Sequence, residues 1–206
     1  MRSLALSLAC VLGSALAAAA CVRDPLDRLC PDHAPGDLVV TEIRGPQTGA
    51  DSYGQWIELY NATDRPIDLA GVSLTLRRLD GSGDFRFMVR DPEARVEPRA
   101  YAVLGGARAE DKPFVTYDFT DDASGNFYAA ALLDLYTCEA RVDAMLYRAL
   151  PSVGTLSLDG AREPDAAAND DADVGWCTDD APPAPGEPIT ELGVRGTPGE
   201  ANRPCP

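Results

Sequence analysis

The sequence predicts an all-β protein built as a sandwich of two sheets. Segments rich in β-branched and aromatic residues recur between residues 37 and 160, and clusters of Gly, Pro, Asp and Ser separate them. Leu74 and Leu76 alternate with Ser73 and Thr75, which is the period of two expected for a strand with one buried face. Short strands at regular spacings of roughly ten residues, with turn residues between them, are typical of a β-sandwich.

The individual strands follow from local patterns. Runs such as "DLVVTEI" are rich in β-branched residues, and loops such as "GPQTGADSYG" are rich in turn formers. Pro66 fixes the exit of the turn after the second strand, and Gly71 marks a bulge or bend in the third strand region. The run "LDGSGD" forms a tight turn, so the next strand returns antiparallel. The predicted strands and extended segments cover residues 37–43, 55–61, 67–78, 85–89, 101–106, 112–119 and 154–160.

Residues 127–150 fit two structures. Their Ala and Leu content would suit a helix. The run "LLDLYT" followed by "ARVDAMLY" also fits two strands that turn near Cys138 and Glu139. We predict the hairpin because it continues the spacing of the other strands.

The sequence contains one predicted domain and no repeat. The domain covers residues 37–202, and an acidic insertion rich in Pro and Ala occupies about residues 161–188. We expect this insertion to be irregular and to be held against the domain by Trp176 and Cys177. Residues 203–206 form the C-terminal end.

The N-terminus has the layout of a secretory signal peptide. Residues 1–20 combine a short positive start with an apolar, Ala-rich run that ends in small residues. The run "AAAC" resembles a bacterial lipobox, although Ala18 stands where Leu is usual, so Cys21 is a candidate for lipidation. Residues 21–36 would then form a tether. There are two alternatives to lipidation: ordinary signal-peptide cleavage after an Ala-x-Ala site, or a membrane anchor that is never cleaved.

The cysteine count is consistent with lipidation of Cys21. Cys10 leaves with the signal peptide, and acylation of Cys21 leaves an even number of thiols for disulfides in an oxidising compartment. The remaining cysteines are Cys30, Cys138, Cys177 and Cys205. Of the three possible connectivities we favour Cys138–Cys177 and Cys30–Cys205. A zinc site is disfavoured because the chain has no Cys-x-x-Cys spacing and a single histidine.

The charge of the chain argues against nucleic acid as a partner. The formal net charge is −15, and such a surface repels phosphate groups on average. The main candidate for a local basic patch is the run "LRRLDGSGDFRFMVR", residues 76–90.

Four sequence runs resemble the lamin tail domain family in their residues, their order and their spacing. They are "LVVTEIRG", "GQWIELYNATDRPIDLAGVSL", "VEPRAYAVLGG" and "GTPGEAN". The resemblance covers about residues 37–202, although residues 107–184 are generic and the family pattern does not require the insertion. It implies an immunoglobulin-like β-sandwich. Bacterial members are secreted or envelope proteins in which the domain binds or anchors beside catalytic domains, and no such enzyme domain is recognised in this sequence.

Glu58 is the least ordinary residue in a predicted strand. In an extended segment Trp56, Glu58 and Tyr60 share one face, and Ile57 and Leu59 share the other. One interpretation makes Glu58 a general base. The other makes it a structural acceptor of hydrogen bonds from loop amides or a partner of an Arg, and we favour it because a base without a nearby nucleophile has no task. We therefore expect Glu58→Gln to affect mainly stability.

Other marked residues are also interpreted as structural. The "NAT" run makes Asn61 a formal glycosylation acceptor, but a side chain that caps a turn is the favoured role. In "GTPGEAN", Pro198 and Gly199 set the turn, and Asn202 bonds locally. His33 is predicted to lie in the tether, so a catalytic triad would have to borrow it from outside the fold.

Two acidic loops are weak calcium candidates. They have oxygen ligands at alternating positions and a Gly, but neither matches the complete EF-hand pattern and both lack its closing Glu. The candidate ligands are Asp121, Asp122, Asp170, Asp171 and Asp173. No other cofactor is expected.

These observations predict a non-catalytic, lipid-anchored envelope protein. We expect a role in adhesion or scaffolding, with an unknown protein or glycan partner and with the membrane reached through the N-terminal lipid. The first alternative is an accessory subunit of an extracellular hydrolase that binds polysaccharide or nucleic acid. The second alternative is a hydrolase with an unrecognised site.

Overall fold

The protein is described here from a computed structural model that covers residues 30–49, 53–106, 112–138, 140–182 and 194–206. All regular secondary structure in these ranges is β-strand, as the sequence predicts. The strands are β1 (Leu38–Arg44), β2 (Trp56–Asn61), β3 (Ile67–Asp68), β4 (Val72–Arg78), β5 (Asp84–Met88), β6 (Arg95–Val96), β7 (Tyr101–Gly105), β8 (Val115–Asp118), β9 (Ala131–Thr137), β10 (Ala140–Tyr147), β11 (Thr155–Leu158) and β12 (Trp176–Asp179).

Two sheets pack face to face and enclose the hydrophobic core. The six-stranded sheet has the order β12-β11-β1-β2-β7-β8, and the four-stranded sheet has the order β10-β9-β4-β5. A small third sheet pairs β3 with β6. Neighbouring strands are antiparallel, except that β7 and β8 are parallel. The core is one large cluster of buried side chains from both sheets, and within it Phe85 stacks edge to face on both Phe119 and Phe127.

The β9–β10 hairpin settles the helix-or-hairpin ambiguity. Leu133 pairs with Met145 and Ala131 with Tyr147, and these four side chains are buried in the core. The alternation of inward and outward residues therefore outweighs the helical preference of Ala and Leu. The turn contains Cys138, which adopts a positive φ of 51°.

A β-bulge in β1 changes which side chains face the core. The pairing of β1 with β2 shifts between Val40 and Glu42, so Thr41 is the extra residue. Val40 and Ile43 lie in the core, whereas Glu42 lies opposite Glu58 on the outer face of the six-stranded sheet. Without the bulge, strict alternation would turn Glu42 into the hydrophobic core.

Two side chains from other elements satisfy the backbone at this bulge. The Val40 N–H donates to Asp143 Oδ2 at 2.7 Å, and Asn169 Nδ2 donates to the Val40 carbonyl at 2.9 Å. Asn169 also donates to Asp143 Oδ2, and both residues are buried. The bulge therefore depends on a carboxylate from the opposite sheet and on an amide from the insertion.

The segment that we predicted as a tether packs on the sandwich where the structure describes it. His33 is only 6% exposed, and its Nε2 lies 3.0 Å from the Asp68 carbonyl oxygen. The Gly36 N–H donates to the Val142 carbonyl at 2.8 Å. The expectation that His33 stands outside the fold is therefore wrong, because the chain is already bound to both β3 and β10 at this point.

The described part of the insertion, residues 161–182, is more ordered than predicted. It contains β12, which pairs with β11, and Trp176 Nε1 donates to the Asn169 carbonyl at 3.2 Å. Leu146 of β10 forms a bridge with Asp171, with backbone bonds to Asp170 and from Ala172. The insertion thus covers the β10 edge of the four-stranded sheet and shields its unpaired backbone groups.

The four remaining cysteines form two disulfides, but not with the connectivity that we favoured. The bonds are Cys30–Cys138 and Cys177–Cys205, and not Cys138–Cys177 and Cys30–Cys205. The packing of residues 30–36 along β10 brings Cys30 to the β9–β10 turn. The Cys205 N–H donates to Asp159 just after β11, which places Cys205 beside β12 and Cys177. Two disulfides indicate an oxidising compartment.

Several predicted features lie outside the described residues. They are the signal peptide at residues 1–20, the lipidation candidate Cys21, residues 22–29 of the tether and residues 183–188 of the insertion. In the part of the chain that is described, no helix has the length and apolar character needed to cross a membrane.

Candidate functional site

The most unusual polar feature of the structure is a pair of buried glutamates. Glu42 of β1 and Glu58 of β2 are direct cross-strand partners, and both are 0% exposed. They lie on the outer face of the six-stranded sheet, on the side away from the hydrophobic core. Their burial therefore requires a separate cover over that face.

The C-terminal segment, residues 194–202, provides this cover. Val194 packs against Trp56, Val103 and Val115 in a second buried apolar cluster, and Trp56 stacks edge to face on Phe114 with ring centroids 5.4 Å apart. This small cluster lies beside Glu42 and Glu58, which we call the acid pair, and keeps water away from them.

Glu42 accepts hydrogen bonds from three sides. Trp56 Nε1 donates to Oε1 at 2.9 Å, while Ser157 Oγ donates to Oε2 at 3.1 Å. The Thr197 N–H donates to Oε2 at 3.0 Å, and the Thr197 hydroxyl lies 3.3 Å from the same oxygen. Burial raises the pKa of Glu42 from its usual value, and these donors oppose the rise because they favour the ionised form.

Glu58 has fewer donors. Thr41 Oγ1 bonds to Oε1 at 2.8 Å, and the Gly199 N–H donates to Oε2 at 2.6 Å. Burial raises the pKa of Glu58 well above its usual value, and the neighbouring charge of Glu42 raises it further. The Gly199 bond matches the expected role of Glu58 as an acceptor from a loop amide.

The unequal donor sets favour one protonation state of the pair. Glu42, which accepts from three residues while Glu58 accepts from two, is the better-stabilised carboxylate. Glu58 keeps a proton more readily and is able to donate it to Thr41 Oγ1, since a hydroxyl both donates and accepts. Neither carboxyl group has any surface exposed to solvent, so the chemistry that the geometry supports is retention of a proton inside the domain.

The predicted turn residues shape the C-terminal segment. The Glu200 N–H donates to the Thr197 carbonyl at 3.0 Å, which closes a turn with Pro198 and Gly199 at its centre. Gly199 has a φ of 87°, as a type II turn requires. Asn202 joins the segment to the sheet, because its Nδ2 donates to the carbonyls of Thr41 and Leu158.

Asn61 and Gly71 have local structural roles. Asn61 is 0% exposed, its Oδ1 accepts the Thr63 N–H at 2.9 Å, and its Nδ2 donates to the Arg65 carbonyl at 2.8 Å. It caps the turn after β2, as predicted. Gly71, with a φ of 89°, forms the bend that leads into β4, and its N–H bonds to the Val89 carbonyl.

An acidic cavity of about 470 Å³ lies between β11 and the insertion. Arg162, Glu163 and Asp171 are among its lining residues. The pKa of Glu163 is lowered chiefly by the Tyr60 hydroxyl, and the pKa of Asp171 is lowered chiefly by Arg148. These carboxylates are engaged in structural contacts, and no Ser, Cys or His side chain lines the described cavity.

The calcium candidates fall into two loops in which arginine takes part. Arg148 bonds to both Asp171 and Asp173, and Arg90 forms an ion pair with Asp122 at 3.2 Å. Asp121 lies in the same loop as Asp122, and the backbone carbonyl of Asp170 accepts the Leu146 N–H. Throughout the described ranges, no group of three or more His, Cys, Asp or Glu side chains is arranged to hold a metal ion.

A second depression, which we call the β5 groove, follows the open edge of the four-stranded sheet. It has a volume of about 620 Å³ and lies between residues 84–86 and the loop at residues 123–129, with Arg78 also among its lining residues. The Arg78 guanidinium stands 4.1 Å from the centre of the Tyr128 ring. The predicted basic run thus contributes Arg78 and Arg86 to this groove.

Sequence reasoning missed Glu42, Asp143 and Asn169. Glu42 looked like part of an ordinary strand, because only the bulge places it beside Glu58. Asn169 lies in the insertion, which we expected to be irregular. The signal that was present is the two glutamates in adjacent predicted strands, "TEI" and "IEL", each next to an isoleucine.

Comparison with known proteins agrees with this architecture. A family model described as "Lamin Tail Domain" matches residues 31–155, more than half of the chain. No curated protein matches the chain. The match ends before the C-terminal segment that covers the acid pair.

Proposed function

The chain belongs to the lamin tail domain family and has its immunoglobulin-like β-sandwich, and from this premise we propose that it is a non-catalytic binding or scaffolding protein of the bacterial cell envelope. The observation that carries the proposal is the closed acid pair. The buried carboxyls best suited to acid–base work have no exposed surface and hold the domain's C-terminal segment in place. A catalytic acid or base must reach the proton that it transfers.

The remaining candidate sites give little support to an enzymatic function. The carboxylates of the cavity beside β11 have lowered pKa values where a shift is resolved, and a general acid at neutral pH needs a raised one. His33 is the single histidine of the chain, and its ring lies against the backbone of β3. An unrecognised hydrolase is therefore the weaker proposal.

A glycan-binding or nucleic-acid-binding role is also less well supported. The exposed large apolar side chains in the described residues are aliphatic, namely Leu79, Val153 and Val174, so they offer no aromatic platform for sugar rings. The net charge of −15 opposes nucleic acid. We therefore favour a protein as the partner.

The proposed location is the cell envelope beyond the inner membrane, at the outer membrane or the cell surface, with Cys21 as the lipid attachment site. The two disulfides require an oxidising compartment, and the sequence "AAAC" supplies the candidate lipobox. Metabolic labelling with a palmitate analogue tests the anchor. We expect label in the wild-type chain and none in Cys21→Ala, whereas equal label in both would refute lipidation at this residue.

The binding role is tested by chemical cross-linking in the native envelope, followed by purification of the full chain. We expect a defined protein to be recovered with the wild-type chain at a constant ratio. Recovery of the chain alone, under conditions in which known envelope complexes survive, would count against the role. Hydrolysis of envelope polymers by the purified chain would instead favour the enzyme.

A further inference from the structure

One edge of the four-stranded sheet is covered by another segment of the chain, and among the residues described the other edge is not. The β10 edge is covered by the insertion through the bridge between Leu146 and Asp171. At the other edge, β5 has no strand beside it in the described structure, and the β5 groove runs along it. An uncovered edge strand offers backbone donors and acceptors to another chain.

The pairing of β4 with β5 shows which backbone groups of β5 point outward. The Arg78 N–H donates to the Gly83 carbonyl, and the Val89 N–H donates to the Val72 carbonyl. Hydrogen-bonded pairs alternate in an antiparallel ladder, so Phe85 and Phe87 direct their backbone groups to β4. The backbone groups of the intervening residues, Asp84, Arg86 and Met88, therefore point away from the sheet.

The outward groups are only partly used. The Met88 carbonyl accepts the Tyr117 hydroxyl at 3.2 Å. Within the described ranges, no group bonds to the backbone N–H or C=O of Arg86. This residue lines the groove, and its side chain is 63% exposed.

The wall opposite β5 is fixed in position. Gln55 Oε1 accepts the Phe127 N–H at 2.6 Å, and Gln55 Nε2 donates to the Gly125 carbonyl at 3.2 Å. The Tyr147 hydroxyl donates to the Tyr128 carbonyl at 3.0 Å. The groove is therefore largely formed before anything binds, which lowers the entropic cost of binding.

The charge of the groove differs from that of the whole protein. Arg78 and Arg86 line it together with a single carboxylate, Asp84, although the chain as a whole carries −15. The Arg86–Asp84 ion pair, at 3.1 Å, joins two largely exposed side chains and contributes little stability. An incoming acidic group would find an available arginine here.

We propose that the β5 groove binds an extended polypeptide segment, which adds to the four-stranded sheet beside β5 and places an acidic side chain opposite Arg86. This inference rests on the proposed binding role and names the class of partner. A peptide backbone presents donors and acceptors at the same two-residue repeat as the outward groups of β5. A cross-strand acid beside Arg86 would add a favourable ion pair.

The test begins with a phage-displayed library of random octapeptides selected on the full chain. We expect the enriched peptides to carry an acidic residue within an extended, β-branched pattern. Binding of one enriched peptide is then measured by fluorescence polarisation. Arg86→Glu should weaken it about tenfold, because an attractive cross-strand pair becomes repulsive. Arg95→Glu is the matched control, since Arg95 is 55% exposed and lies on β6, outside the groove, and it should leave binding unchanged.

Backbone pairing is tested on the peptide itself. Methylation of single amide nitrogens should weaken binding about tenfold at every second position and have little effect between them, because only alternate N–H groups face β5. Failure to enrich any peptide, equal binding to Arg86→Glu, or uniform tolerance of methylation would each overturn the inference. A partner captured from the envelope whose binding ignores Arg86→Glu would overturn the groove assignment and leave the general binding role intact.

Discussion

Glu42 and Glu58 face each other across β1 and β2 with no exposed surface, and among the described residues neither accepts a hydrogen bond from a Lys or an Arg. Two adjacent buried carboxylates without a cation resist simultaneous ionisation. The pair is therefore expected to hold a proton, and Glu58 is the site at which it resides.

The first prediction concerns pH. Because the pKa of Glu58 is raised in the folded state above its ordinary value of 4.5, its contribution to the free energy of unfolding is complete below that value and is lost as pH rises through the folded-state pKa. Glu58→Gln removes this titration. Urea unfolding across a pH series should show the variant gaining stability relative to wild type as pH rises.

Asp143 provides an internal check on this measurement. Burial raises its pKa from 3.8 to about 6. The ionisation of Asp143 therefore lowers the free energy of unfolding of both proteins as pH rises over that interval. Its effect cancels when the two curves are subtracted, if the sites are independent. Parallel curves for wild type and Glu58→Gln would show that Glu58 does not titrate as proposed.

The second prediction separates the two glutamates. At neutral pH, Glu58→Gln keeps an oxygen for the Gly199 N–H and an amide for Thr41 Oγ1, so the loss of stability should be small. Glu42→Gln replaces an acceptor oxygen with a donor amide among Trp56, Ser157 and Thr197, and it should cost about 1–3 kcal/mol. Thermal unfolding of both variants checks this, and equal losses would contradict the assignment of the proton to Glu58.

The third prediction concerns how closely the C-terminal segment packs against the six-stranded sheet. Gly196 and Gly199 both have positive φ values, of 96° and 87°. A Cβ at Gly196 would lie 2.6 Å from Thr155 Cγ2 and 2.8 Å from Glu42 Oε1, whereas a Cβ at Gly199 would have its nearest contact at 3.9 Å. Gly199→Ala should cost about 1 kcal/mol through backbone strain, and Gly196→Ala should cost a further 1–3 kcal/mol or so through steric overlap.

Thermal unfolding and tryptophan fluorescence are the measurements for the glycine pair. Displacement of the segment should expose Trp56 in Gly196→Ala and red-shift its emission, while Gly199→Ala should retain the wild-type spectrum. Equal destabilisation of the two variants would mean that the segment has room to move at Gly196.

The fourth prediction concerns the disulfides. Peptide mapping without reduction should recover Cys30 linked to Cys138 and Cys177 linked to Cys205. By the chain-entropy relation, the bond that spans 108 positions contributes about 4.8 kcal/mol, and the one that spans 28 contributes about 3.6 kcal/mol. The variant with Cys30 and Cys138 both replaced by serine should therefore have a lower urea midpoint than the variant with Cys177 and Cys205 replaced. Recovery of Cys138 linked to Cys177 would contradict the packing of Cys30 and of Cys205 in this structure.

The sequence was sufficient to predict most of the strands because their alternation is local, but it did not predict β6 or β12, which lie outside the predicted segments. Ile57 and Leu59 face the core, and Glu58 faces the other way, as the period of two requires. The β9–β10 hairpin was likewise predictable, because Leu133 and Leu135 alternate with outward residues.

The acid pair was not predictable, because two non-local events create it. A bulge at Thr41 rotates Glu42 onto the outer face, and the backbone of Thr197, 155 residues further along the chain, supplies a donor. The disulfide connectivity failed for a similar reason. Which cysteines meet depends on how the packing of residues 30–36 and of the C-terminus places them, and spacing along the chain carries no such information.

The position of the C-terminal segment also determines the order in which the protein is completed. The N–H groups of Thr197 and Gly199 lie 155 and 141 residues further along the chain than their respective glutamate acceptors. During synthesis, Glu42 and Glu58 are therefore made long before their donors exist. Until residues 194–202 are available to pack on it, the six-stranded sheet has one face open to water, so this face is among the last parts of the domain to form.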